Sequence, residues 1–458
     1  MSSKRLATNN NQLPEGYKKT EIGVIPEDWE VTNLDEVATI IDPQPDHRTP
    51  PAKNGGEPYI GISDFVNDTL VDWDNCRKVI GKALDKQQKI FQVCCGDIIF
   101  GKIGTIGLPK FLPITQFRYA LSANVILIKP TIEPYYLMSG LKSSLVQRQI
   151  NQELHSTSQA AFGILKMRNL LIALPPLPEQ KAIAQTLSDV DALIAALDKH
   201  IAKKRNIKTA TMQQLLTGKT RLPGLGEGNG YKKSAIGVIP EDWEVDDLGK
   251  FITEFRGGAP LKPSDFTNGG VKVLPKGAVV RGGFLKINDK DLQFCSKQYA
   301  NHYGKNKINN TYIVVVLRDL VPSGPSIGLI VKIKKPEIYI LAQGVYGFKT
   351  QGIIDEYLIQ YSNSFPYRKL MNEIMVGSTQ VHITNTAFKA IKLPFPPLPQ
   401  QKAIAQVLSD IDTEITALEK RRAKTQAIKQ GMMQELLTGR TRLKIEHPDD
   451  PITKNSNG

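Results

Sequence analysis

The chain repeats itself. Gly16-Tyr17-Lys18-Lys19, running on to Ile22-Gly23-Val24-Ile25-Pro26-Glu27-Asp28-Trp29-Glu30-Val31, returns 214 residues later at Gly230 to Lys233 and Ile236 to Val245. A second block opens at Pro175-Pro176-Leu177-Pro178 and ends at Leu222. It recurs without a gap from Pro396 to Leu443, 221 residues on, with 31 of 48 positions identical. Chance does not produce this, so the chain is an internal duplication of a unit a little over 200 residues long. The stretches between, 32–173 and 246–394, are far less alike. Thr105-Ile106-Gly107 and Ser326-Ile327-Gly328, like Gln159 and Gln380, keep the 221 offset, which places the length difference early in the unit, before Thr105. At that offset Pro322 and Pro325 replace Gly101 and Gly104. One kept framework with two diverged inserts implies a common scaffold presenting two different surfaces.

The kept block is helical. Ile183, Leu187, Val190, Ile194, Leu197 and Ile201 fall at alternating spacings of four and three, as do Ile404, Leu408, Ile411, Ile415 and Leu418, which is a heptad seam. Pro178 and Pro399 stand just ahead, where a missing N–H costs nothing, and Gly218 and Gly439 read as C-terminal stops. The pattern predicts helices over 179–217 and 400–438, each roughly 58 Å long at 1.5 Å per residue. Such a seam needs a partner. The duplication supplies one, and an antiparallel pair about a pseudo-twofold axis satisfies it; the alternative is an amphipathic helix packed on its own domain. The basic runs Lys203-Lys204-Arg205 with Lys208, and Lys420-Arg421-Arg422 with Lys424, are either solvated faces or contacts to phosphate or an acidic partner.

The diverged stretches read as mixed α and β. Strands are expected at 97–100, 124–128, 312–317 and 338–341, and helices at 135–152 and 355–373. Trp29 and Trp243 follow the same Pro-Glu-Asp turn and are expected as core anchors; Trp73, between Asp72 and Asp74, is expected to be structural. The excess of 59 Lys and Arg over 45 Asp and Glu points to a polyanionic partner, most simply nucleic acid. It is unevenly shared: residues 32–173 carry 15 basic and 13 acidic side chains, residues 246–394 carry 20 and 11.

Catalytic patterns are missing from this reading. Gly218-Lys219-Thr220 lacks the earlier glycine of a phosphate loop, Gln213 standing in its place, and closes a helix rather than opening one. No nucleophile elbow, dinucleotide fingerprint or base-gripping Pro-Pro-aromatic tetrapeptide of methyltransferase type occurs. The cysteines Cys76, Cys94, Cys95 and Cys295 and the six scattered histidines have no metal-ligand spacing, and the cysteines are expected reduced and mostly buried. No apolar run reaches membrane-spanning length and the polar start lacks a secretory core, so a cytoplasmic protein is expected.

The chain resembles the specificity (S) subunits of type I restriction–modification systems. The likeness rests on the Gly-x-Ile-Pro-x-x-Trp openings (Gly23 to Trp29, Gly237 to Trp243), on Pro-Pro-Leu-Pro-x-Gln-x-x-Ala-Ile (Pro175 and Pro396 onward) and on the Leu-Leu-Thr-Gly-Lys/Arg helix endings. It implies an α+β fold with two mixed α/β target-recognition domains separated by a pair of long antiparallel coiled-coil helices. The implied domains are 1–173 and 230–394 for recognition, 174–222 and 395–443 for the spacer helices, 223–229 as linker and 444–458 as a flexible tail. It further implies that each recognition domain reads one half of a split, asymmetric double-stranded DNA target. Two methyltransferase (M) subunits would dock on the helices, and restriction (R) subunits would complete the complex, with no membrane involved. S-adenosylmethionine, ATP and Mg would be used by those partners, and this chain would hold no cofactor and catalyse nothing. The other readings are a coiled-coil scaffold or inactive subunit without DNA discrimination, or a standalone DNA-modifying enzyme.

Base edges are read by Arg, Lys, Asn and Gln, with phosphate contacts fixing register. In the first recognition domain the expected DNA contacts are Lys102 and Thr105 on the glycine-rich loop, Arg48 and Lys53 on an earlier loop, and Ser158 and Gln159. In the second they are Lys262, Lys276, Arg281, Arg318, Ser323, Gln380 and His382.

Overall fold

The computed structural model describes residues 13–443, apart from 46–47, 156–160, 227, 229, 288–289, 291, 321–325 and 378–379. The chain divides into two compact units. The first is formed by residues up to Ala196 together with those from Arg421 onward, and the second by Leu197–Lys420.

In the first unit, the apolar runs foreseen as strands become the middle of an antiparallel four-stranded sheet. Its order is Ala38–Ile41, Val125–Pro130, Ile98–Gly101, Pro109–Phe111. Ile98, Ile99 and Phe100 are fully buried, which is why their sequence shows no polar alternation. A second, three-stranded sheet joins Arg77–Val79, Ala52–Ile60 and Ala120–Leu121. The helices Pro134–Leu141 and Ser144–His155 cover one face through Leu137, Met138, Leu141, Val146 and Ile150. Trp73 packs edge-on to Phe117, centroids 4.9 Å apart, and is structural as expected.

The second unit repeats the plan. Its four-stranded sheet runs Ile252–Arg256, Val345–Thr350, Ile313–Val316, Ile330–Lys332, beside a five-stranded sheet centred on Val271–Leu274. Helices Asp355–Ser362 and Phe365–Ile374 correspond to the first unit's pair. The single helices expected at 135–152 and 355–373 are therefore each two. In the second unit the break is enforced by Pro366, which a helix interior does not accept, and by Ser364, whose hydroxyl accepts the Tyr367 N–H as a new N-cap.

The long helices are Leu177–Leu215 and Leu398–Leu436, each 39 residues. Both begin two residues earlier than the periodicity indicated, because Pro178 and Pro399 occupy a first-turn position. Both stop at a left-handed glycine, Gly218 at φ 69° and Gly439 at φ 67°. Every seam residue is buried or half-buried, but the seam has two jobs. Ile183 and Leu187 join the core around Trp29, and Ile404 and Leu408 join the core around Trp243, so the first turns pack on their own unit. Further along, the helices run side by side and antiparallel within each unit. Asp191 meets Lys429 at 2.6 Å in the first, and Lys208 meets Asp412 at 2.7 Å in the second. Lys204 with Glu414 and Arg205 with Glu419 add further ion pairs. Of the basic run of the first helix, Lys204, Arg205 and Lys208 are therefore paired with acids of the neighbouring helix, while Lys203 and Arg205 stay exposed.

The end of each long helix is held by the opening of a repeat. In the second unit, Arg221 grips Asp242 through both terminal nitrogens (2.8 and 2.6 Å), donates to Gln400 Oε1 and lies over the Trp243 ring. Trp243 Nε1 donates to the same Gln400 oxygen at 2.9 Å. In the first unit Arg442 grips Asp28 at 2.8 and 2.7 Å and Glu179 at 2.6 and 2.7 Å, while Trp29 Nε1 donates to Glu179 at 2.9 Å. Both tryptophans are buried, as core anchors should be. A Cβ on Gly439 would lie 2.4 Å from the Pro26 ring, and one on Gly218 equally close to Pro240. Gly439→Ala is expected to lower stability by about 2 kcal/mol from left-handed strain and this clash, read as a shift in denaturant midpoint.

One expectation needs correcting. Cys76 and Cys295 are buried, but Cys94 and Cys95 are exposed, because they occupy a surface turn that Asp97 closes on the Cys94 N–H. The length difference between the halves does fall before Thr105, but immediately before it, after the central strand. The connector from Val316 to Ile330 is six residues longer than its counterpart from Gly101 to Pro109. No helix among the described residues is long and apolar enough to cross a membrane.

Candidate nucleic-acid interface

That longer connector decides where the polar side chains lie. In the first unit, Lys102 leaves the buried strand Ile98–Gly101, its N–H donating to Asn124 O and its carbonyl accepting from Phe162 N. In the second unit Leu317 makes the matching pair of bonds with Gly344 and Ile383. Leu317, and not Ser323, is therefore the counterpart of Lys102, and Gly101 corresponds to Val316 rather than Pro322. The equal-offset comparison failed because the extra residues fall inside the loop it tried to align.

Lys102 does not reach the surface. Its ammonium is paired with Asp42 at 2.9 Å, and the two side chains are 8% and 15% exposed. The expectation of a DNA contact there gives way to a buried ion pair, since the backbone bonds on both sides aim this side chain inward. Thr105, Arg48 and Lys53 are exposed on the first unit. Ser158 and Gln159 lie outside the described residues.

In the second unit the extra length forms a short antiparallel ladder, Arg318–Leu320 with Gln380–His382. Arg318 stands opposite His382, and Leu320 opposite Gln380. The first unit has a single bridge, Ile103 to Ala161, in this position. The strand holding Arg318 is fixed from behind by Gly344, where a Cβ would fall 2.9 Å from that of Arg318. Next to the ladder is an open cleft of about 310 Å³, lined by Lys276, Arg281, Asp319, Ser326, Val279 and Leu329. Asp319 is held by the Ser326 hydroxyl and N–H, at 2.6 and 3.0 Å. Five of the expected contacts, Lys276, Arg281, Arg318, Gln380 and His382, are thus gathered at one ladder and its cleft. Lys262 is exposed at the cap of the short turn Pro263–Asp265, its N–H bound to Asp265; Ser323 lies outside the described residues.

Burial holds the Arg368 guanidinium below its ordinary value, and the nearby positive charge of Arg281 lowers it further. Periodicity passed over Arg368, which is anchored on Ile327 O, and the pair Phe284 and Lys334, the ammonium 3.7 Å from the ring centroid. It also passed over Arg221 and Arg442, although their identity across the repeat was visible.

A family model for the type I restriction modification DNA specificity domain matches residues 26–205 and again 240–430. The MjaVIII type I restriction enzyme specificity subunit of Methanocaldococcus jannaschii is 30% identical, over 94% of this chain and 97% of its own length. A putative MjaX specificity subunit from the same organism is 31% identical over the same shares. Among solved structures, the S subunit of a type I system from M. genitalium matches 94% of this chain and 98% of its own, at 14% identity and a TM-score of 0.52. A chain from a structural study of type I complex assembly covers 91% and 99% at 17% identity and a TM-score of 0.51. With the duplicated framework and both inserts spanned by the match, the chain belongs to the specificity subunits of type I restriction–modification systems.

Proposed function

We propose that this chain is the non-catalytic DNA-reading subunit of its complex, each unit recognising one half of an asymmetric bipartite duplex target. One observation carries this reading: the two units share a sheet, a helix pair and a clasp, yet differ at the connector after the central strand. A buried Lys102–Asp42 pair occupies that place in the first, and a ladder carrying half-buried Arg318 and His382 and exposed Gln380 in the second. Two different surfaces on one framework fit two different half-sites. The paired long helices act as a coiled-coil spacer and docking surface for two methyltransferase subunits. Methyl transfer, translocation and cleavage, with S-adenosylmethionine, ATP and Mg, are the work of partner subunits.

The test is to exchange residues 246–394 for those of another specificity subunit, co-express the chain with its methyltransferase subunit, and sequence methylated bases in the host DNA. A split motif that changes in one half only is the expected result. A motif unaltered by the exchange, or methylation without sequence preference, sinks the proposal and favours a scaffold. Methyl transfer by the purified chain alone would revive the standalone enzyme.

A further inference from the structure

Six arginines lie in the second unit. Four have side-chain partners within it: Arg205 with Glu419, Arg221 with Asp242, Arg256 with Glu254 and Arg368 with Ile327 O. Arg281 and Arg318 have no hydrogen bond or ion pair from the guanidinium among the described residues. The two are mounted differently. Arg281 is exposed, lies in no strand and is followed by Gly282 and Gly283, both at positive φ, in a turn at the rim of the cleft. Arg318 is half-buried on a paired strand, opposite His382, with Gly344 packed behind it.

We infer that Arg318 reads a guanine edge in the half-site of the second unit, and that Arg281 is a phosphate contact. This rests on the proposed function and deepens it. A planar fork of donors matches the two major-groove acceptors of guanine, but only if its direction is fixed in advance. A side chain leaving a packed strand meets that condition, because less rotamer freedom remains to be lost on binding. A side chain on a glycine turn does not. It can follow a phosphate, where charge counts and orientation counts little, and the like charge of Arg368 beside it strengthens attraction for an anion. The first unit has no equivalent: Leu317 matches Lys102, and only the bridge Ile103 to Ala161 stands where the ladder does. The guanine contact therefore belongs to one half of the target.

The experiment compares R318K, R318Q, R281K and R281A in the chain co-expressed with its methyltransferase subunit. Methylated sites are sequenced, and binding to the target duplex is measured across a salt series. R318K keeps the charge and loses the fork, so selectivity should fall about 10- to 100-fold at one G·C position, in one half only. R318Q should relax the same position. R281K should leave the motif intact, while R281A weakens binding to all sequences alike and reduces the salt slope by about 1. A motif unchanged in both Arg318 variants, or weakened uniformly, overturns the assignment of Arg318; a base position relaxed by R281K overturns that of Arg281. Wild-type protein that yields no split motif would instead overturn the proposed function itself, so the two failures are distinguishable.

Discussion

Arg442→Ala is expected to destabilise the first unit by about 3–5 kcal/mol, and Arg221→Ala to cost the second only about 1–3 kcal/mol. The two clasps are nearly superimposable in their bonds, but one contact differs in charge. Arg442 neutralises Glu179, whose side chain is 1% exposed, whereas Arg221 meets the neutral amide of Gln400. Removing Arg442 leaves a carboxylate in a place that excludes water, with only the Trp29 N–H beside it. Denaturant unfolding followed by tryptophan fluorescence measures both, since Trp29 and Trp243 sit in the two clasps. Equal losses would show that the buried carboxylate does not set the cost. In the Arg442→Ala background, Glu179→Gln should return part of the stability by copying the chemistry of the second unit. The clasps also fix an acid limit. The Arg221 fork holds Asp242 down to about 2, below its ordinary carboxylate value, and Arg442 lowers Asp28 in the same direction. A depressed folded value gives stability that is fully present above the unfolded value, near 4, and lost as pH falls from there toward 2.

The second large effect falls on Lys102. Replacing it with alanine should cost about 3 kcal/mol of stability in the first unit, because it removes an ammonium 2.9 Å from the largely buried Asp42 carboxylate. The bases of the methylated motif should not change. If instead Lys102→Ala folds with wild-type stability and loses one base position, the side chain leaves its pair to meet DNA and the structural role assigned to it fails.

Lys102 also shows what the sequence made legible and what it hid. The long helices were readable because their signal is local: a heptad seam, a proline at one end and a glycine at the other. So were the buried strands, since Ile98-Ile99-Phe100 and Ile313 to Val316 are continuous apolar runs. The partition of the seam was not, because Ile183 and Val190 look alike in a periodic pattern, although the first faces Trp29 and the second lies further along the helix. A glycine-rich loop with a lysine looks like a ligand contact; what no local pattern shows is that the backbone bonds turn Lys102 inward, where Asp42, sixty residues away, pairs with it. The ladder of Arg318 and His382 was hidden for a different reason. Its residues were singled out one at a time by type, but their juxtaposition depends on the longer connector, and the equal offset set Lys102 against Ser323 instead of Leu317.

The route of the chain through its two units has a consequence for how the protein is made. The second unit is one unbroken stretch, Leu197–Lys420, including the helix end that its clasp requires. The first unit is built from two stretches, one on each side of the second: among the described residues the Glu179 carboxylate is neutralised by Arg442, and Trp29 packs with Leu436 and Leu437. On the ribosome, where segments fold as they emerge, the half encoded first is thus the half completed last. Its core stays open until Leu436 to Arg442 have emerged, and a chain cut between Lys420 and Leu436 should lose the first unit while sparing the second.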